Sequence, residues 1–172
     1  MVACESLHCI FISVGSNINR EKHIKSGLDA MHQAFGSMRL SAVYESESIG
    51  FKGRNFYNLV VQASTDLGVM DVVQILKKIE RNNLRSHEGK KFSPRTLDLD
   101  LLLYDELTTL SPVELPRGEI MYNAFVLQPL AEIAPLVTHP ISGETYQTLW
   151  HKYDKTTQHL WPIDFIWSAD PQ

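Results

Sequence analysis

An α+β fold is predicted, in which strands and helices in the order βαββαβ build a mainly antiparallel sheet with helices packed against it. Two patterns predict it. Four short β-rich runs, at 9–14, 38–46, 57–65 and 96–104, are separated by segments of two kinds. Two of those segments carry apolar residues at helical spacing, and the two middle strands follow one another with no helix between them.

The first run, CIFISV, reads as a strand, and GSN at 15–17 breaks it as a plain turn, since it lacks the glycine and lysine pattern of a phosphate loop. Ile24, Leu28, Met31 and Phe35 then recur on one helical face, with Gly36 as the C-cap. MRLSAVYES at 38–46 alternates like one half-exposed strand, and YNLVVQAST at 57–65 reads as the next. A second helix is expected from Val69 to Leu84, with Val72, Val73, Leu76 and Ile79 on its buried face. RSHEGKKFSP at 85–94 is a basic loop, expected to be mobile, and TLDLDLLLY follows as a strand whose flanking leucines imply a central, well-covered position. Beyond Asp105 the chain is punctuated by Pro112, Pro116, Pro129, Pro135 and Pro140. Helices around AFVLQPLAEIA and TYQTLWHKY are expected to cover the second face of the sheet, and a last strand is expected within 158–167. Trp150, Trp161 and Trp167 are read as core residues.

A chain of this length fits one domain, residues 1–172, able to bury a core without disulfides. The net charge of −4 argues against a nucleic-acid or acidic-membrane partner. Cys4 and Cys9 have neither redox nor zinc spacing and are read as free thiols. The opening MVACESLHCIFISVG has no basic leader, and there is no apolar run of about 18 residues. A monomer in a reducing cytoplasm is expected.

SPRTLDLDLLLYD, at 93–105, carries the chemistry. Asp98 and Asp100 lie two apart in a strand, so both carboxylates project from one face while Leu97, Leu99 and Leu101 take the other. Like charges this close repel unless cations compensate. Arg85, Lys90, Lys91 and Arg95 crowd the preceding loop. A carboxylate pair facing a basic loop suits magnesium, which takes one or two carboxylates and completes its shell with water and substrate phosphate oxygens. Two such ions clamp the attacking and leaving oxygens in phosphoryl transfer, and Arg85 and Arg95 would neutralise the charge that develops. Phe56 and Asn58 share a face at the start of their strand, and Phe92 and Phe125 are expected on later loops. Together they form a set able to sandwich a flat heterocycle and read its edge through an amide. The seven histidines show no metal-binding spacing; His87 stands out only for lying in the basic loop.

In this segment the sequence resembles the 6-hydroxymethyl-7,8-dihydropterin pyrophosphokinase family, whose signature is PR-x-x-D-[LIV]-D followed by apolar residues. The likeness continues through SVGSN, YESESIG, FYN, IERNNLRSHEGKKF and FVLQPLAEIAP. It implies a three-layer α-β-α form of the ferredoxin-like arrangement, and transfer of pyrophosphate from ATP to the pterin hydroxymethyl group with release of AMP. By motif position, Asp98 and Asp100 would bind two magnesium ions, and Arg85 and Arg95 would assist the transfer from the loop. The pterin would lie between Phe56 and Phe125, with Asn58 on its edge and Ser46 and Ile49 contributing backbone contacts. Glu80, His87, Lys91, Phe92, Arg95 and Leu101 would meet ATP. The chain departs from the pattern in LPRGEIMYNAF, where Arg117 and Asn123 replace a histidine and an arginine, so a phosphate-binding cation is expected to be missing. His87 and Phe92 stand where an arginine and a tryptophan are usual, and the substrate loop lacks the usual Gln-Pro before its aromatic. Two rivals follow. One is another two-metal nucleotidyltransferase, disfavoured because Gly15 and Asp98 are separated by most of the domain. The other is a pterin-binding paralogue with weak nucleotide use.

Overall fold

The computed structural model describes residues 6–47, 53–84 and 96–169. Strands β1 (His8–Ser16), β2 (Met38–Leu40), β3 (Val43–Ser46), β4 (Phe56–Thr65), β5 (Asp98–Tyr104) and β6 (Leu160–Ile163) alternate with helices α1 (Arg20–Phe35), α2 (Val69–Asn82), α3 (Ala124–Ile133) and α4 (Tyr146–Lys152). They form one sheet in the order β5-β1-β4-β3-β6, with β2 also pairing β4, and every ladder is antiparallel.

Side-chain alternation sorts the sheet into two faces. Ile10, Ile12 and Val14 of β1, Leu59 and Val61 of β4, and Leu97, Leu99 and Leu101 at β5 pack with Ile24, Leu28 and Met31 of α1 and Val72, Leu76 and Ile79 of α2. Phe11, Val60, Leu102 and Leu103 face the other way, against Val126, Leu127 and Leu130 of α3 and Tyr146 and Leu149 of α4. Three layers result, and the apolar periodicities of both main helices are explained by the layer they bury. Each fully buried aliphatic side chain contributes about 1.5–3 kcal/mol to that packing. Gly27 lets α1 approach the start of β5, since a Cβ there would lie 2.9 Å from Leu97 Cδ2.

The structure corrects several expectations. β5 pairs only with β1 among the described residues, so it is an edge strand rather than a central one. Its leucines are buried because helices cover the sheet, not because strands flank it. A bulge between Phe11 and Ile12 and their partners turns both Leu102 and Leu103 toward α3. The 38–46 run is two strands. Ser41 causes the break, because its Oγ accepts the Val60 N–H at 2.9 Å in place of a main-chain carbonyl. Register slips by one residue there, from Leu40↔Val61 to Tyr44↔Asn58. Gly15 and Ser16 belong to β1 rather than to a turn. Of the tryptophans, Trp150 and Trp167 pack against the cores, but Trp161 on β6 is 39% exposed.

Candidate active site

Register assembles the site. Gly15 on β1 pairs with Asn58 of β4 on one side and Asp98 of β5 on the other, and Ser13 likewise lies between Val60 and Asp100. Residues directly opposed across a ladder project from the same face, so Asn58, Asp98 and Asp100 all lie on the α3 side of the sheet. Asp98 and Asp100 are half-buried, and Leu97 and Leu99 point into the opposite core. The end of β1 is tied to this edge by Ser16 Oγ, which donates to the Thr96 carbonyl at 2.5 Å.

The pterin-facing expectation concerns Ser46, Ile49, Phe56, Asn58 and Phe125. Asn58 is buried, and its Nδ2 donates to Ser46 Oγ at 3.0 Å. Phe56 pairs with Ser46 across the β3–β4 ladder and is half-buried. Phe125 is not on a loop: it occupies the first turn of α3, half-buried against the α3–α4 core. Gly15 leaves room for the Asn58 amide, since a Cβ there would lie 2.9 Å from Asn58 Oδ1. Ile49, together with Arg85, His87, Lys91, Phe92 and Arg95, lies outside the described residues.

Glu80 is half-buried in the last turn of α2, in the layer opposite the carboxylates. Leu101, also expected to meet ATP, lies on β5. Its side chain is 3% exposed and belongs to the α1–α2 core, because its parity on β5 is opposite to that of Asp98 and Asp100. Only its main chain remains for such a contact.

Sequence reasoning missed Arg117 and Glu119 as site residues. The Arg117 N–H donates to the Leu102 carbonyl at 3.0 Å, which docks the chain beside β5. Its guanidinium then lies with Nη2 3.3 Å from Asp100 Oδ1 and Nε 2.9 Å from Glu119 Oε1. Burial alone would lower the Arg117 pKa, but the hydrogen bond to Glu119 and the charges of Asp100 and Glu119 outweigh it and raise it. A cation, Arg117, thus stands against Asp100 of the carboxylate pair. Asn123 points elsewhere, with Nδ2 donating to Glu119 Oε2 at 3.1 Å and Oδ1 accepting from Gln158 Nε2 at 3.3 Å. The departure flagged in LPRGEIMYNAF was the signal available in the sequence, but nothing local to it indicates which residue turns toward β5.

Among the described residues, no three His, Cys, Asp or Glu side chains converge as a metal cage. Two same-face carboxylates do suit a hard cation that takes its remaining oxygens from water and substrate phosphate. The cation of Arg117 against Asp100 is a second sign that this edge accepts positive charge.

The strand order β5-β1-β4-β3, with helices on both faces and a carboxylate pair on the edge strand, defines a three-layer protein of ferredoxin-like topology. Within that class the chain belongs to the 7,8-dihydro-6-hydroxymethylpterin-pyrophosphokinase family, whose model matches residues 11–135. It is similar to the 2-amino-4-hydroxy-6-hydroxymethyldihydropteridine pyrophosphokinase of Aquifex aeolicus, 33% identical over 77% of this chain and 84% of that protein. The Bacillus subtilis protein of the same name is 32% identical over 80% of this chain and 85% of its own length. The fold is shared with wild-type Plasmodium falciparum HPPK-DHPS crystallised with pteroate, at a TM-score of 0.68 and 14% identity, over 86% of this chain and 42% of that one.

Proposed function

We propose that this pyrophosphokinase transfers pyrophosphate from ATP to 6-hydroxymethyl-7,8-dihydropterin, a folate-pathway reaction, at the edge of the sheet formed by Asp98 and Asp100. The supporting observation is the row Asn58–Gly15–Asp98, which sets a buried amide and a carboxylate on one face, flanking β1 from either side, in a member of this family. The hydroxymethyl oxygen forms a bond to the β-phosphorus, the bond from that phosphorus to the AMP oxygen breaks, and the hydroxyl proton leaves to solvent.

Asn58 reads the pterin edge, oriented by Ser46, while Phe56 and Phe125 take its two faces. Asp98 and Asp100 would hold two magnesium ions, and Arg85 and Arg95 would neutralise charge on the transferred group. Bound magnesium supplies Lewis-acid polarisation of the phosphate and hydroxyl oxygens. Glu80, His87, Lys91, Phe92 and the Leu101 main chain complete the nucleotide side. A cytoplasmic monomer belongs to the same proposal. Among the described residues no helix is long and apolar enough to cross a membrane.

Incubation with ATP, magnesium and the pterin alcohol tests this, with AMP and pterin pyrophosphate as the expected products. Free pyrophosphate with a nucleotidylated pterin would instead establish a nucleotidyltransferase. Asn123, engaged by Glu119 and Gln158, favours the second reading of a pterin-binding paralogue with weak nucleotide use. Pterin binding without AMP formation would establish it.

A further inference from the structure

Arg117 is held from two sides. Its main-chain N–H is bonded to Leu102, and its Nε to Glu119, whose second oxygen is itself engaged by Asn123. The anchored stem and Nε leave the Nη2 side of the guanidinium presented to Asp100. A guanidinium forks between two acceptors, so one edge can keep its partner while the other exchanges it.

We propose that Arg117 is a resident counter-cation of Asp100 that yields to metal only when a nucleotide arrives with it, and that its freed Nη edge then turns to the nucleotide phosphates while Nε stays on Glu119. This rests on the assignment of Asp98 and Asp100 as metal ligands. A bare divalent ion approaching Asp100 must displace one positive group and settle beside it. A metal–nucleotide complex brings phosphate oxygens that take the guanidinium in exchange, so the ion pair is replaced rather than lost. The pair has side-chain exposures of 31% and 35%, so solvent screens it and the exchange is only weakly opposed. Arg117 then binds the nucleotide directly and couples metal entry to nucleotide entry, at a position where the family pattern has a different side chain.

The test is calorimetric titration with Mn²⁺ alone, and with Mn²⁺ plus α,β-methylene-ATP, on wild type, Arg117→Met, Arg117→Lys and Asp100→Asn. Arg117→Met is expected to bind Mn²⁺ alone about three- to fivefold more tightly than wild type. It is expected to bind the metal–analogue complex roughly fivefold or more weakly, because the charged fork is gone. Opposite signs in the two titrations are not produced by a merely structural defect. Arg117→Lys keeps the charge and is expected to retain weak binding of Mn²⁺ alone, and it serves as the second variant should Arg117→Met fail to fold. Tighter Mn²⁺ binding by Arg117→Lys, matching Arg117→Met, would overturn the proposal. Unchanged Mn²⁺ affinity in Arg117→Met, with binding lost in Asp100→Asn, would overturn it while leaving the metal site standing. Unchanged Mn²⁺ binding in Asp100→Asn would remove the metal assignment and the proposal together.

Discussion

At Gly15 a missing side chain shapes the proposed pterin pocket, since an added Cβ would crowd Asn58 Oδ1 at 2.9 Å. Gly15→Ala is expected to turn the Asn58 amide and weaken dihydropterin binding about tenfold, the loss of roughly one hydrogen bond to a buried group. Fluorescence titration checks this, and Mn²⁺ affinity should stay unchanged. Asp98→Ala is expected to reduce turnover by at least about a hundredfold. The circular dichroism spectrum should be unaltered, because Asp98 is half-buried and outside both apolar cores. A variant of normal rate would end its metal role. Asn123→Arg restores the cation of the family pattern and is expected to tighten binding of the ATP analogue in calorimetry. It gives up the bonds to Glu119 and Gln158, so its Tm should fall by a few degrees, as a loss of about 1 kcal/mol implies. The Asp98–Asp100 pair was legible because period-two alternation is a local property of the chain. Arg117 was not, because what brings it to Asp100 is a hydrogen bond to Leu102, fifteen residues away.

The elements owe their stability to which face they bury. Leu99 lies between the two acidic residues yet is 3% exposed in the α1–α2 core. Leu99→Ala is expected to cost about 2–5 kcal/mol in urea unfolding, through lost burial and a residual cavity. Helix α3 is tied to the β2–β3 break by Glu132, which accepts from Tyr44 Oη at 2.6 Å and from the Ala42 N–H at 2.8 Å. Burial, followed by the hydrogen bond and the charge of Glu132, pushes the Tyr44 phenol well above its usual range, so it remains a donor. The helices were readable in advance because one stripe of apolar residues points to one layer. The break in 38–46 was not, because it depends on the Ser41 hydroxyl finding the Val60 N–H across the sheet.

For the whole molecule, His139 in the turn between α3 and α4 makes one contribution to the pH dependence of stability. Burial lowers its pKa below the usual histidine value. Its Nδ1 accepts the Ile141 and Ser142 N–H groups at 3.2 and 3.1 Å. The unfolded chain therefore takes up the proton first. The contribution of His139 to stability is fully present above about pH 6.5, the unfolded value, and falls as pH drops below it. Denaturant unfolding between about pH 7 and about pH 5 is expected to show a shallower pH dependence in His139→Gln than in wild type. The βαββαβ order, the two amphipathic helices and the same-face acidic pair were determined by the sequence alone, because each follows from spacing along one segment. The edge position of β5, the strand status of Gly15, the outward Trp161 and the Arg117–Asp100 pair were decided only by tertiary structure. Those depend on which distant segments meet, and neither periodicity nor turn chemistry encodes that.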